Sequence, residues 1–132
     1  MRNWLVKSLA MVAALFMLAG GSLMSTASAG AKVALVLDVG GRGDLSFNDM
    51  GFKGSDEAQA NLGVEVVEIQ SNSAADYLPN MQNAARSGKF DLIVAVGFLL
   101  SDPRAAVGDQ FSDQTLAILD VRSLGKPNRR EI

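Results

Sequence analysis

Between Asp38 and Asp49 the sequence reads DVGGRGDLSFND, which gathers three carboxylates, three glycines, one amide and a single phenylalanine. Three chemistries could use such a loop: a cradle for phosphate, an adhesive Arg42-Gly43-Asp44 tripeptide, or part of a pocket for an uncharged small molecule. The phosphate reading fails on spacing. Gly40-Gly41-x-Gly43 matches neither GxGxxG nor GxxxxGK[ST], and Asp38 and Asp44 would repel the anion that backbone amides attract. Tripeptides such as Arg42-Gly43-Asp44 recur by chance and are set aside. The pocket reading uses more of the residues. Glycines at 40, 41 and 43 allow sharp turns and close approach of a ligand, Phe47 offers a flat stacking surface, and Asp38 and Asn48 can hydrogen-bond sugar hydroxyls or ring N–H groups. The competing structural roles are a hydrophobic staple for Phe47 and a loop cap for Asp38.

Composition narrows the function classes. The chain has 132 residues, no cysteine and no histidine, which excludes disulfides, thiolate metal sites and the Ser-His and Cys-His catalytic pairs. Residues 1–29 read as a secretory leader: Arg2 and Lys7 precede an apolar run from Leu9 to Leu18, and Ala27-Ser28-Ala29 supplies the small residues of a cleavage site before Gly30. The whole chain carries a formal charge of −2, and losing the leader's two cations takes it to −4. Nucleic acid is therefore not an expected partner, because a phosphate backbone is bound by clustered positive charge. No cofactor is expected. Arg129-Arg130, the one basic pair at the tail, is expected to be solvated.

Four elements with strand character must hold the loop in place: KVALVLD (32–38), VEVVEIQ (64–70), LIVAV (92–96) and TLAIL (115–119). The first is nearly continuously apolar and ends on an acid, and the third is wholly apolar, as central strands of a parallel sheet are, whereas the second alternates and suits an edge, with Val64, Val66 and Ile69 inward. Helical spacing joins them. Phe52, Ser55, Ala58 and Leu62 form one stripe, with Ser46-x-x-Asp49 as its cap and Gly63 as its stop. Tyr77, Met81, Ala84 and Ala85 form another, ended by Gly88, and a third helix is expected over Asp102 to Phe111 with Pro103 near its start. Alternating strands and helices predict an α/β fold, a three-layer parallel sheet of order 2-1-3-4. Ligands of such sheets bind beyond the carboxyl ends of the strands. Here those ends carry Asp38 with the glycine loop, Ser71-Asn72, Gly97-Phe98 and Asp120.

These motifs, in this order, resemble the opening of the basic membrane protein family, the purine nucleoside receptors and related substrate-binding proteins of ABC transporters. The family pattern Asp-x-Gly-Gly-x-x-Asp-x-Ser-Phe-Asn is matched by Asp38, Gly40, Gly41, Asp44, Ser46, Phe47 and Asn48, with Gly54 in the following helix. The stretch from Phe90 to Phe98 is similar to the family's third strand and Gly-Phe turn, and Leu116 to Asp120 to its next strand. The resemblance implies the amino-terminal lobe of a type I periplasmic-binding fold, whose two lobes close over a ligand that is often a nucleoside. Carried over, Phe47 is one stacking face, Asp38, Asn48 and Asp120 are polar contacts, and Gly97 and Phe98 line the same edge. The implied partners are a nucleoside-like ligand and, in the full-length form, a transporter permease.

Two departures bear on this. Leu18-Ala19-Gly20 is followed by Gly21 where lipoprotein relatives carry the lipid-bearing cysteine, so a lipid-free periplasmic protein is expected. Such receptors also continue well past Lys126-Pro127-Asn128, so residues 30–128 are expected to form a truncated first lobe, followed by a short tail at 129–132. The alternatives are an exported enzyme with Asp38, Asp44 and Asp120 as a magnesium or acid/base cluster, and a fragment without function of its own.

Overall fold

The computed structural model describes residues 30–121 and 129–131; the expected leader at 1–29, the Lys126-Pro127-Asn128 stretch and Ile132 lie outside the described residues. The chain runs β1 (Lys32–Leu37), α1 (Phe47–Leu62), β2 (Glu65–Gln70), α2 (Tyr77–Ser87), β3 (Leu92–Val96), α3 (Ser101–Gln110), β4 (Leu116–Leu119) and β5 (Arg129–Glu131). Short 3₁₀ turns at Ala74–Asp76 and Phe98–Leu100 lead into α2 and α3.

All neighbouring strands pair in parallel in the order β2-β1-β3-β4-β5. The first four stand in the expected order 2-1-3-4. Arg129–Glu131, expected to be a short tail, pairs along β4, with Leu116 opposite Arg129 and Ile118 opposite Glu131.

Period-two alternation divides the apolar residues between two faces. Ala34 and Val36 of β1, Ile93 and Ala95 of β3, and Leu116 and Ile118 of β4 pack under α2 and α3 with Tyr77, Met81, Leu100 and Val107. Leu35, Leu37 and Val96 face the other way, against Phe52 of α1. This explains why β3 and all of β1 after Lys32 are apolar: both faces are covered. β2 behaves differently from the single inward face expected of it. Val66 packs on the α1 side and Ile69 on the α2 side, because residues three apart in a strand point to opposite faces.

Helix ends follow the glycines. Gly63 and Gly88 take left-handed conformations, with φ of 65° and 61°, and stop α1 and α2 as expected. Along α1, Asn48, Gly51, Phe52 and Ser55 are buried. The predicted stripe continues to Ala58 and Leu62, but Leu62 is 74% exposed. The far half of the helix stands off the sheet, and a largely apolar cleft of about 320 Å³ opens between Val33, Leu35, Val66 and Val94 below and Ala58 and Leu62 above.

Burial decides which apolar side chains hold the fold. Ile93 is fully buried at the centre of the larger cluster, so Ile93→Ala is expected to cost about 2–5 kcal/mol in urea unfolding. Leu62→Ala, in the open cleft, should change stability by no more than about 0.5 kcal/mol. Equal effects from the two would contradict this division.

Candidate functional site

The register brings the predicted residues to one level. Leu37 lies opposite both Gln70 and Val96, and Val96 lies opposite Leu119, so the residues that follow, Ser71, Asp38, Gly97 and Asp120, line the carboxyl edge in that order. Asp38 and Gly97 meet directly. A Cβ on Gly97 would stand 2.8 Å from Asp38 Oδ2, and Gly97 holds a φ of +102°, so both sterics and backbone require glycine there.

The loop after β1 is built around carboxylates that accept from its own amides. Asp38 Oδ1 accepts from the Gly40 N–H at 2.9 Å and from Asn48 Nδ2 at 2.6 Å. The same Nδ2 donates to Asp44 Oδ2 at 2.8 Å. Asp44 also accepts the backbone N–H groups of Ser46, Asn48 and Asp49, which caps α1 from upstream. Ser46 stands at the N-cap position without a side-chain cap bond. Asp49, expected to close a capping box with Ser46, reaches back to the N–H groups of Gly43 and Leu45. No space remains at Gly40, where a Cβ would lie 2.7 Å from Asn48 Nδ2.

These bonds assign the loop's residues to separate roles. Asn48, expected to contact a ligand, is 1% exposed and works from beneath, joining Asp38 to Asp44. Phe47 is 49% exposed and Phe98 61% exposed; one ring stands at the start of α1 and the other directly after Gly97. The burial that a staple requires is absent from Phe47, whose ring remains available for stacking. Asp120 is exposed on the same edge, one strand beyond Gly97, with a φ of 71°.

The other readings of the loop lose their chemistry. Arg42 lies 3.7 Å from the centroid of the Phe52 ring and pairs with Glu68 at 2.8 Å. With Asp44 occupied by amides, both charged ends of the Arg42-Gly43-Asp44 tripeptide turn back on the protein. Among the described residues no group of three or more acids is placed to hold a metal ion. The proposed cluster of Asp38, Asp44 and Asp120 is thus not assembled as a cation site.

Two residues missed in the sequence complete the support. Gln70 Nε2 donates to the Asp38 carbonyl at 2.6 Å and to the Ser71 carbonyl at 2.8 Å. Tyr77, 3% exposed, receives the Val39 N–H on its hydroxyl at 3.4 Å. Counting register from the strand ends would have flagged Gln70, a polar residue one step before the edge; nothing in the spacing of Tyr77 separates it from an ordinary core residue.

Comparison with known proteins agrees with this architecture. Residues 31–124 match the family model described as ABC transporter substrate-binding protein PnrA-like. An uncharacterized lipoprotein of Pyrococcus abyssi is 42% identical over 113 residues, covering 86% of this chain and 28% of the relative. The ABC transporter nucleoside-binding protein BmpA of Lactococcus lactis is 32% identical over 93 residues, covering 67% of this chain and 26% of the relative. In three dimensions, a solute-binding protein of an ABC transporter system from Aeropyrum pernix superposes with a TM-score of 0.72 at 41% identity, covering 76% of this chain and 28% of that one. The α/β fold is the shared feature. The chain belongs to the PnrA-like family of ABC transporter substrate-binding proteins, and it spans little more than a quarter of the length of these relatives.

The Asp44 carboxyl makes the loop's electrostatics testable. Burial pushes its pKa up, but the N–H groups of Ser46, Asp49 and Asn48 and the Asn48 carboxamide outweigh this and hold it at about 2, against an ordinary 3.8. The unfolded chain therefore takes up this proton first as pH falls. The stability contributed by Asp44 is complete above about pH 4 and is lost as pH drops towards 2. Thermal melting from pH 5 to 2 should fall more steeply for the wild type than for Asp44→Asn; parallel curves would exclude this role.

Proposed function

We propose that this lobe supplies one wall of the ligand recess of an ABC-transporter substrate-binding protein, and that the ligand is a nucleoside or an uncharged ring compound of similar size. The observation that carries the reading is the pinned carboxylate of Asp38, set against Gly97 on a strand edge that also displays Phe47 and Phe98. Aromatic faces suit a heterocyclic base, and carboxylate oxygens suit sugar hydroxyls or ring N–H donors. The nucleoside-binding relative from Lactococcus lactis points the same way.

In this reading Asp38, Phe47, Phe98 and Asp120 face the guest, Gly97 provides close approach, and Asn48 sets Asp38 from below. The protein acts outside the cytoplasm, as the lipoprotein relatives suggest, and Gly21 in place of a lipid-bearing cysteine leaves it free of lipid. Its protein partner is a transporter permease, engaged once a second lobe has closed over the ligand. One lobe by itself covers one side of a ligand, so residues 30–132 taken alone should bind weakly, because small-molecule sites normally bury most of their ligand.

The test is an NMR titration of the purified chain with adenosine, guanosine and inosine. Saturable shifts at Gly40, Phe47, Gly97 and Phe98 are expected, with a dissociation constant of about 1 mM. Phe47→Ala should weaken binding by about fivefold or more, given the usual worth of a base stacked on an aromatic ring. The corresponding 5′-monophosphates should bind less well, since Asp38, Asp44, Asp49 and Asp120 make the rim acidic. Shifts confined to other parts of the domain, or none with any ring compound, would refute the reading.

A further inference from the structure

The edge strand β2 ends beside the glycine loop, and its last residue reaches across to it. Leu37 and Gln70 form the final pair of the β1·β2 ladder, beyond which the two chains separate. At that point Gln70 Nε2 donates to both departing carbonyls, Asp38 O at 2.6 Å and Ser71 O at 2.8 Å. Its side chain also lies over the glycine turn. A Cβ on Gly41 would meet Gln70 Oε1 at 2.9 Å, and Gly41 is buried with a φ of +62°.

Asp38 is thus held at two places by different elements. Its carbonyl is held from β2 by Gln70; its carboxylate is held from α1 by Asn48 and from the loop by the Gly40 N–H. When its carbonyl is released, the peptide plane after Asp38 keeps only the long 3.4 Å bond from the Val39 N–H to the Tyr77 hydroxyl, and any rotation there carries the turn at Gly40 and Gly41 with it. We propose that Gln70 is a positioning residue for the ligand recess: by donating to the Asp38 carbonyl it fixes the plane from which the glycine turn and the Asp38 carboxylate are presented. This deepens the solute-binding reading, on which the importance of Asp38 rests, but the geometry it describes exists without a ligand.

Two substitutions separate donation from packing. Gln70→Met keeps the length of the side chain and removes the donor. Gln70→Glu keeps the shape and replaces the donor by an acceptor facing two carbonyls. Amide hydrogen exchange in the unliganded chain at neutral pH is the readout, with Gly40 reporting the turn and Val36 and Ile93 reporting the sheet. Donation by Gln70 requires the Gly40 amide to exchange about five- to tenfold faster in the Met variant and at least as fast in the Glu variant, with the sheet amides unchanged. The Asn48 side-chain amide resonances should move in both. A Glu variant indistinguishable from wild type, or equal acceleration at Gly40, Val36 and Ile93, would overturn the proposal. Neither result depends on nucleoside binding, so the two readings can fail separately.

Discussion

One carboxamide proton donor, Asn48 Nδ2, stands between two carboxylates, and the carboxyl edge of this lobe depends on it. Asp38 belongs to the end of β1 and Asp44 to the loop, and each places an oxygen within 2.8 Å of that nitrogen. Two like charges brought so near would drive their segments apart without donors between them. The buried amide from the first turn of α1 offsets that repulsion and ties strand, loop and helix into one unit. Glycine at 40 follows from it, since any side chain there would strike the amide.

The sheet sets this unit at the correct height. Parallel pairing without slippage puts Asp38, Gly97 and Asp120 on adjacent strand ends, and a shift by one residue would send Leu35 and Val94 to the wrong face. The larger core, under α2 and α3, fixes that register from below. The α1 face is thinner, and its apolar cleft shows how little of the helix is needed to anchor the loop: Asn48, Gly51, Phe52 and Ser55 make the buried contact, all within the first three turns.

Much of this was legible in the residues. Strands with both faces covered show as uninterrupted apolar runs, so β1, β3 and the order 2-1-3-4 could be read directly, as could the left-handed stops at Gly63 and Gly88. The family pattern around Asp38 and Phe47 drew attention to the loop that carries the candidate site. What stayed hidden were choices among equivalent hydrogen bonds. Ser46, Asp44 and Asp49 are all able to cap α1, and spacing does not say that Asp44 receives three amides while Asp49 turns back to Gly43 and Leu45. Nor does an asparagine beside a phenylalanine reveal which faces water; here the amide is inside and the ring outside. The pairing of Arg129–Glu131 with β4 was unreadable because three polar residues carry no strand period.

The cap on α1 has a further meaning. Converging N–H groups at the head of a helix make the kind of seat that elsewhere holds a phosphoryl oxyanion. In this lobe the seat is already taken by an anion of the chain's own making, the side chain of Asp44. The field of the helix is spent on an internal tenant, so the head of α1 offers no free seat to an anion from outside.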